Sequence, residues 1–266
     1  MRVAQLRRYP VKSMLGETVG SVEVDERGVA GDRHLALLDV ASGRVATAKH
    51  PRLWRALLTF AAATDGGGVR ITLPDGRTVS ADAPDLDGLL SGVLGREVRL
   101  TSSREPGAEV ERPDPVDVLA EGVDADVPFA LLEIAQAAPG ETFVDYAPVH
   151  LITTATLDRL GVDAVRYRPN VVVESEPGTA PFGENGWVGR EITVGGVRLR
   201  GVLPTPRCSV PTLEHGDLPR APEAVRPLLE QNRIDVPGFG VLPCAGVYAE
   251  VVAGGTLRAD DPVSLD

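Results

Sequence analysis

The chain has 266 residues, 43% apolar and 24% charged, with a formal net charge of −11. That length supports one large or two modest domains with a real core. The acidic balance argues against nucleic acid as a partner, because phosphate binding wants a basic face. Two cysteines 36 residues apart make no disulfide framework, so a reducing cytoplasmic setting is expected. No apolar run approaches the ~18 residues needed to span a membrane, and residues 1–8 hold no apolar signal core.

In chain order, the pattern is strand-rich. Residues 3–6, 19–25 and 35–39 read as strands, with a hairpin turn at Ser42-Gly43. The run 56–63 reads as a strand, followed by 69–73 and 77–80 in a glycine-turned meander. Residues 85–94 fit a short helix closed by Gly95, and 97–100 a further strand. The polar stretch 102–117, with Pro106, Pro113 and Pro115, reads as a linker. It divides an N-terminal β domain, 1–105, from a second domain, 118–266. Residues 126–139 are expected to be partly helical. Then come strand 149–152, a helix capped by Thr153 or Thr154 and ended by Gly161, strand 171–174, and a strand-like run 191–201. A helix over 221–232 and strands 246–252 and 262–265 finish the chain.

The stretch of chemical interest is 203–212, where Cys208 follows Arg207 among Pro204, Pro206 and Pro211. Three prolines predict a stiffened loop rather than a central strand. Arg207 would favour a thiolate at Cys208, which is both nucleophile and metal ligand. Cys244, in an apolar run, reads as structural. Four readings of Cys208 are open: a zinc ligand, a hydrolase nucleophile with His150 and Asp145, a thiolate ligand to a metal-bearing organic cofactor, or a sulfur carrier. For the third, Lys12, Arg33 and Arg168 on other loops, with Arg207 beside the cysteine, suit an anionic tail.

Several short motifs in succession carry a resemblance. They are Tyr9-Pro10-Val11-Lys12-Ser13, Gly31-Asp32-Arg33, Thr47 to Leu53, Phe143-Val144-Asp145, Pro148 to Leu151, Arg168-Pro169-Asn170, Arg207-Cys208, and Gly246 to Ala249 with Gly255 to Leu257. In this order they resemble the MOSC family, named for the C-terminal domain of molybdenum cofactor sulfurase. The likeness is to two-part members with an N-terminal barrel-like domain, such as the mitochondrial amidoxime-reducing components and their bacterial relatives. The resemblance implies a mostly β, α+β fold: a barrel-like N-terminal domain and a MOSC β-barrel domain with a few short helices. It implies a molybdenum cofactor (Mo-molybdopterin) between them. Cys208 would ligate molybdenum, and Lys12, Ser13, Arg33, Arg168, Asn170 and Arg207 would hold the pterin and its phosphate. Asp145 would face the active site. The expected activity is reduction of N-hydroxylated or N-oxide small molecules, with electrons from a separate redox protein. The alternative is a carrier of the cofactor, or of sulfur as a Cys208 persulfide. Three positions depart from the family pattern: Pro206 precedes Arg207, Lys49 stands where arginine is common, and His34 follows Arg33.

Overall fold

A computed structural model describes residues 1–266. The molecule is mostly sheet, with five short α-helices. Its largest sheet runs in the order 263–265, 191–194, 197–206, 240–253, 149–153, 171–174, 2–8, 17–19, with 233–236 paired to 240–253. This path is open, so the barrel-like part is not closed by hydrogen bonds between its end strands. The first strand, Arg2–Arg8, is antiparallel to Val171–Glu174, and Ser21–Asp25 pairs with Gly255–Arg258. The chain's two ends are therefore stitched into one body.

Alternation explains the core. In Val197–Pro206 the residues Val197, Leu199, Gly201 and Leu203 turn inward while Arg198 and Arg200 face water. Val3, Leu6, Val149, Leu151, Val171, Val173 and Val247 complete that core, all at most 1% exposed. A second core, over residues 11–98, packs Met14, Leu37, Trp54, Leu57, Phe60, Ile71 and Leu90.

The expected helices at 85–94 and after Thr153 are present. Gly95 and Gly161 close them in left-handed conformation, and Thr153 Oγ1 accepts a hydrogen bond from Thr156 N. Other expectations are corrected. Residues 56–63 begin as a 3-10 turn, Arg55–Thr59, continuing helix Pro51–Trp54; the strand starts at Ala61. The supposed linker folds into strand Glu109–Pro113 and helix Pro115–Glu121. Asp114 caps that helix and Pro115 opens it, so these residues are helix-start signals rather than linker composition. Residues 126–139 hold strand Phe129–Glu133 instead of a helix, because pairing with Glu109–Pro113 satisfies its backbone. The helix expected over 221–232 is broken into Pro222–Ala224 and Arg226–Gln231, as Pro227 has no amide to continue it.

The 203–206 segment is also corrected. It is the tail of strand Val197–Pro206, paired to Gly240–Ala253 with Pro204 opposite Val247 and Pro206 opposite Cys244. Two features make the prolines tolerable. The register is irregular between Pro204 and Pro206, and strand Glu191–Val194 covers only the first half of the neighbouring strand. No helix is long and apolar enough to cross a membrane.

Candidate functional site

One cleft, about 1170 Å³ with its open mouth included, gathers all eight residues singled out from the sequence: Lys12, Ser13, Arg33, Asp145, Arg168, Asn170, Arg207 and Cys208. Its wall carries seven lysines and arginines against two carboxylates, Glu133 and Asp145. In a chain of net charge −11 this is a local inversion of sign.

Backbone strain places three of these side chains. Of six non-glycine residues with positive φ, three are Ser13 (65°), Arg33 (46°) and Arg168 (54°). Each costs on the order of 1 kcal/mol and persists because its surroundings hold it. Ser13 Oγ accepts from Ala48 N at 3.1 Å and donates to Thr47 Oγ1 at 3.3 Å. Arg33 pairs with buried Asp32 and donates to Arg168 O at 3.0 Å. Arg168 Nη1 donates to Met14 O at 2.6 Å.

The Arg33 and Arg168 guanidinium carbons lie 4.8 and 4.4 Å from the centroid of the buried Tyr9 ring. Burial, and then the Arg33 charge, lower Arg168 to about 10. Its Nη2 is buried without a partner. An uncompensated donor of this kind suits an anion.

Across the cleft, Asp145 Oδ1 accepts from Lys12 Nζ at 2.7 Å and Lys49 Nζ at 2.9 Å, leaving Oδ2 without either lysine. Burial opposes the Asp145 charge, but the two lysines outweigh it and hold the carboxyl well below its usual range. Lys12, 4% exposed, is pushed down to about 8 by burial, against the opposing pull of Asp145.

The Lys12 shift sets a pH dependence. Below pH 8 Lys12 adds a positive charge to the cleft, and above it the charge is lost. Affinity for an anion is expected to fall as pH rises through 8, by at most about tenfold per pH unit for one coupled proton. Titration with inorganic phosphate from pH 6.5 to 9.5 checks this, and Lys12→Met should flatten the curve. A profile equally steep in that variant would assign the titration elsewhere. Stability moves oppositely. The unfolded chain keeps this proton up to its ordinary 10.5, so the Lys12 contribution to folding improves between 8 and 10.5.

Arg207 and Asn170 line the cleft, yet their polar atoms hold framework. Arg207, 7% exposed, donates from Nε to Ala245 O at 2.9 Å, from Nη1 to Tyr167 O at 3.0 Å, and from Nη2 to His150 Nε2 at 2.5 Å. Asn170 Oδ1 accepts from His150 N at 3.1 Å, and its amide donates to Arg7 O at 3.4 Å. Gly246 lets this centre close. With φ at +83°, a Cβ there would stand 2.4 Å from His150 Nε2 and 2.6 Å from Leu151 O.

The two cysteines part company. Cys208 is free, 9% exposed and in the cleft wall, packed with Ala48, Leu58, Val210 and Leu213. Cys244 is fully buried, its Sγ donating to Leu242 O at 3.4 Å, and burial raises it to about 11. The hydrolase reading loses its base. Burial, then the Arg207 charge, hold His150 well below its usual value, and the nitrogen that would take a thiol proton already faces a guanidinium. Asp145 is engaged by lysines rather than by His150. No three His, Cys, Asp or Glu side chains converge as a zinc site would require.

Sequence reasoning did not assign Lys49, Tyr9 or Arg112 to the site. Lys49 lay inside a recognised motif and was noted only for departing from it. Tyr9 opens the motif that holds Lys12 and Ser13, but its place under Arg33 and Arg168 depends on contacts far along the chain, and Arg112 gives no local signal.

The family profile of the MOSC N-terminal beta barrel domain matches residues 1–109, and that of the MOSC domain matches residues 141–264. Mitochondrial amidoxime-reducing component 1 of Mus musculus is 25% identical over 295 residues, covering 99% of this chain and 82% of that protein. Mitochondrial amidoxime reducing component 2 of Rattus norvegicus is 33% identical over 135 residues, covering 46% of this chain and 37% of that protein. The crystal structure of the YUAD protein from Bacillus subtilis aligns with 99% of this chain and 94% of its own, at a TM-score of 0.43 and 9% identity.

Proposed function

The chain belongs to the MOSC family, and from that premise we propose that it is a molybdenum-cofactor oxidoreductase that removes oxygen from N–O compounds. The observation that carries the reading is the cleft itself: a free cysteine beside seven cationic side chains, one of which keeps a buried, unpartnered donor. A pterin with a phosphate tail, bound through its metal to a thiolate, asks for this donor set.

The overall change is an N–OH group plus two electrons and two protons giving N–H and water. The bound cofactor would supply two-electron oxygen transfer at its metal. The chain supplies the rest. Cys208 would offer the sulfur ligand. Arg33 and Arg168, set against the Tyr9 ring, would clamp the phosphate, which would give the unpartnered Nη2 of Arg168 an acceptor. Ser13, Asn170 and Arg207 keep the walls in place, and whatever hydrogen-bonding capacity they retain would serve the pterin. Asp145 Oδ2 accepts a hydrogen bond from the substrate. Lys12 Nζ, which gives up its proton near pH 8, is a source for one of the two protons consumed. A separate redox protein delivers the electrons.

The test is metal and pterin analysis of protein from a host that makes the cofactor, followed by turnover of N-hydroxy compounds with a chemical reductant. The expected result is near-stoichiometric molybdenum and pterin, retained through many turnovers. Absence of both from well-folded protein would overturn the reading, and a persulfide on Cys208 would then favour sulfur carriage. Release of the cofactor to an acceptor protein, without turnover, would favour the carrier.

A further inference from the structure

The negative charge of this chain is concentrated in one stretch. Residues 105–145 hold eleven aspartates and glutamates and a single base, Arg112, which is −10 of the chain's −11. Most of it, residues 110–140, lies between the two family-matched stretches. It folds as the two-stranded hairpin Glu109–Pro113 with Phe129–Glu133, joined through helix Pro115–Glu121.

The hairpin borders the cleft, whose wall includes Val110, Arg112 and Leu132. Away from the cleft the segment exposes Val116 (50%), Phe129 (43%) and Leu131 (42%). Glu105, Glu109, Asp114, Asp117, Glu121, Glu133 and Glu141 are exposed, and none is in an ion pair. Of the others, Asp124 and Asp126 are met by Arg55 at 2.7 Å and Arg52 at 2.5 Å, and the half-buried Glu111 by Arg44 at 3.0 Å and His50 at 2.6 Å. Glu109 and Glu133 are register partners, so two like charges face one another across the hairpin. That arrangement is destabilising in isolation, and an approaching cation relieves it.

We infer that residues 105–141 form the docking face for an electron-donating protein with a basic surface. Exposed apolar side chains among unpaired carboxylates fit a partner with an apolar centre and a lysine- or arginine-rich rim. Two copies of this face would oppose their own carboxylates, and a polyanion would be repelled. The donor's redox role rests on the reductase reading: electrons from a reduced haem, flavin or iron–sulfur protein meet the two-electron demand given above. The binding surface stands without that reading. The hairpin is shared by this face and the cleft wall, to which Glu133 also belongs.

Two redox proteins of opposite charge serve as probes: cytochrome c, which is basic, and a plant-type ferredoxin, which is acidic. Binding of each is titrated across salt from about 20 to about 200 mM. A variant with Glu105→Gln, Glu109→Gln, Asp117→Asn and Glu121→Gln is compared with one carrying Glu26→Gln, Asp82→Asn, Asp217→Asn and Glu230→Gln, which removes the same charge elsewhere. Cytochrome c should bind wild type in a salt-dependent way and ferredoxin should not. The first variant should weaken cytochrome c binding at least about tenfold with a shallower salt slope, and the second by less than about twofold. Amide exchange should show protection over 115–121 and 129–133. Equal loss in both variants, ferredoxin binding as tightly, or protection confined to another surface overturns the proposal. Turnover with a small chemical reductant is measured in parallel. Its absence in wild type defeats the reductase reading and leaves the docking result intact.

Discussion

Cys208→Ser is expected to lower N–O reduction at least about 100-fold while the fold persists. Loss of groups that merely support a metal ligand costs 10- to 100-fold, and loss of the ligand itself should exceed that. A serine hydroxyl is a hard donor that stays protonated at neutral pH, so it cannot stand in for a soft thiolate. The change is nearly isosteric at a site already 9% exposed, and Sγ packs against apolar neighbours. The melting temperature should therefore move by only a few degrees. Arg33, Arg168 and Lys12 are untouched, so pterin should be retained better than activity. Pterin content, metal content, turnover and a thermal melt, run beside wild type, check each part. Undiminished turnover in well-folded Cys208→Ser would falsify the ligand assignment. Cys244→Ser provides the contrast: it lies outside the cleft wall, so any effect should fall on stability.

Arg207→Met is expected to destabilise the protein by about 2–4 kcal/mol. Methionine replaces the stem but leaves Ala245 O, Tyr167 O and His150 Nε2 without their donor. Each lost partner costs on the order of 1–3 kcal/mol, offset by relief from holding a buried charge. A second effect follows from His150. It is neutral in the fold and titrates near 6.5 when unfolded, so the unfolded chain binds the extra proton and stability falls as pH drops below 6.5. Removing the Arg207 charge takes away part of that depression, though burial remains. The acid loss should therefore be shallower in the variant. His215, held at about 4 mainly by burial, keeps a contribution between pH 6.5 and 4 in both proteins. Urea unfolding at pH 7 and pH 5 measures both effects. A variant within 1 kcal/mol of wild type, with an unchanged acid slope, would remove Arg207 from the framework role.

Much of the site was legible because its residues sit in short local motifs. Asp32-Arg33, Arg168-Pro169-Asn170 and Arg207-Cys208 each set a chemically useful side chain beside or within one residue of a Gly, Pro or Asn, and Lys12-Ser13 follows Pro10 by two residues. Helices with local start and stop signals were equally plain, as with Thr153 and Gly161, because caps act within one turn of chain. Segments decided by distant pairing were not. Phe129–Glu133 is a strand because Glu109–Pro113 lies beside it, and Pro204 and Pro206 sit in a strand because their outer neighbour ends early.

By itself the sequence determined composition, charge, the β-rich character and the identity of the cleft's chemical groups, all of which are local properties. Only the tertiary structure decided their relations. Whether Asp145 meets His150 or two lysines is a choice between partners 5 and more than 90 residues away. The same holds for Arg207, whose guanidinium turns to Tyr167, His150 and Ala245. It holds too for the positive φ of Ser13, Arg33 and Arg168, a strain that no local preference favours and that long-range hydrogen bonds and packing maintain. The physical reason is common to all three. Buried charges and strained backbones take their lowest energy from partners brought by the fold, and those partners are not neighbours in the chain.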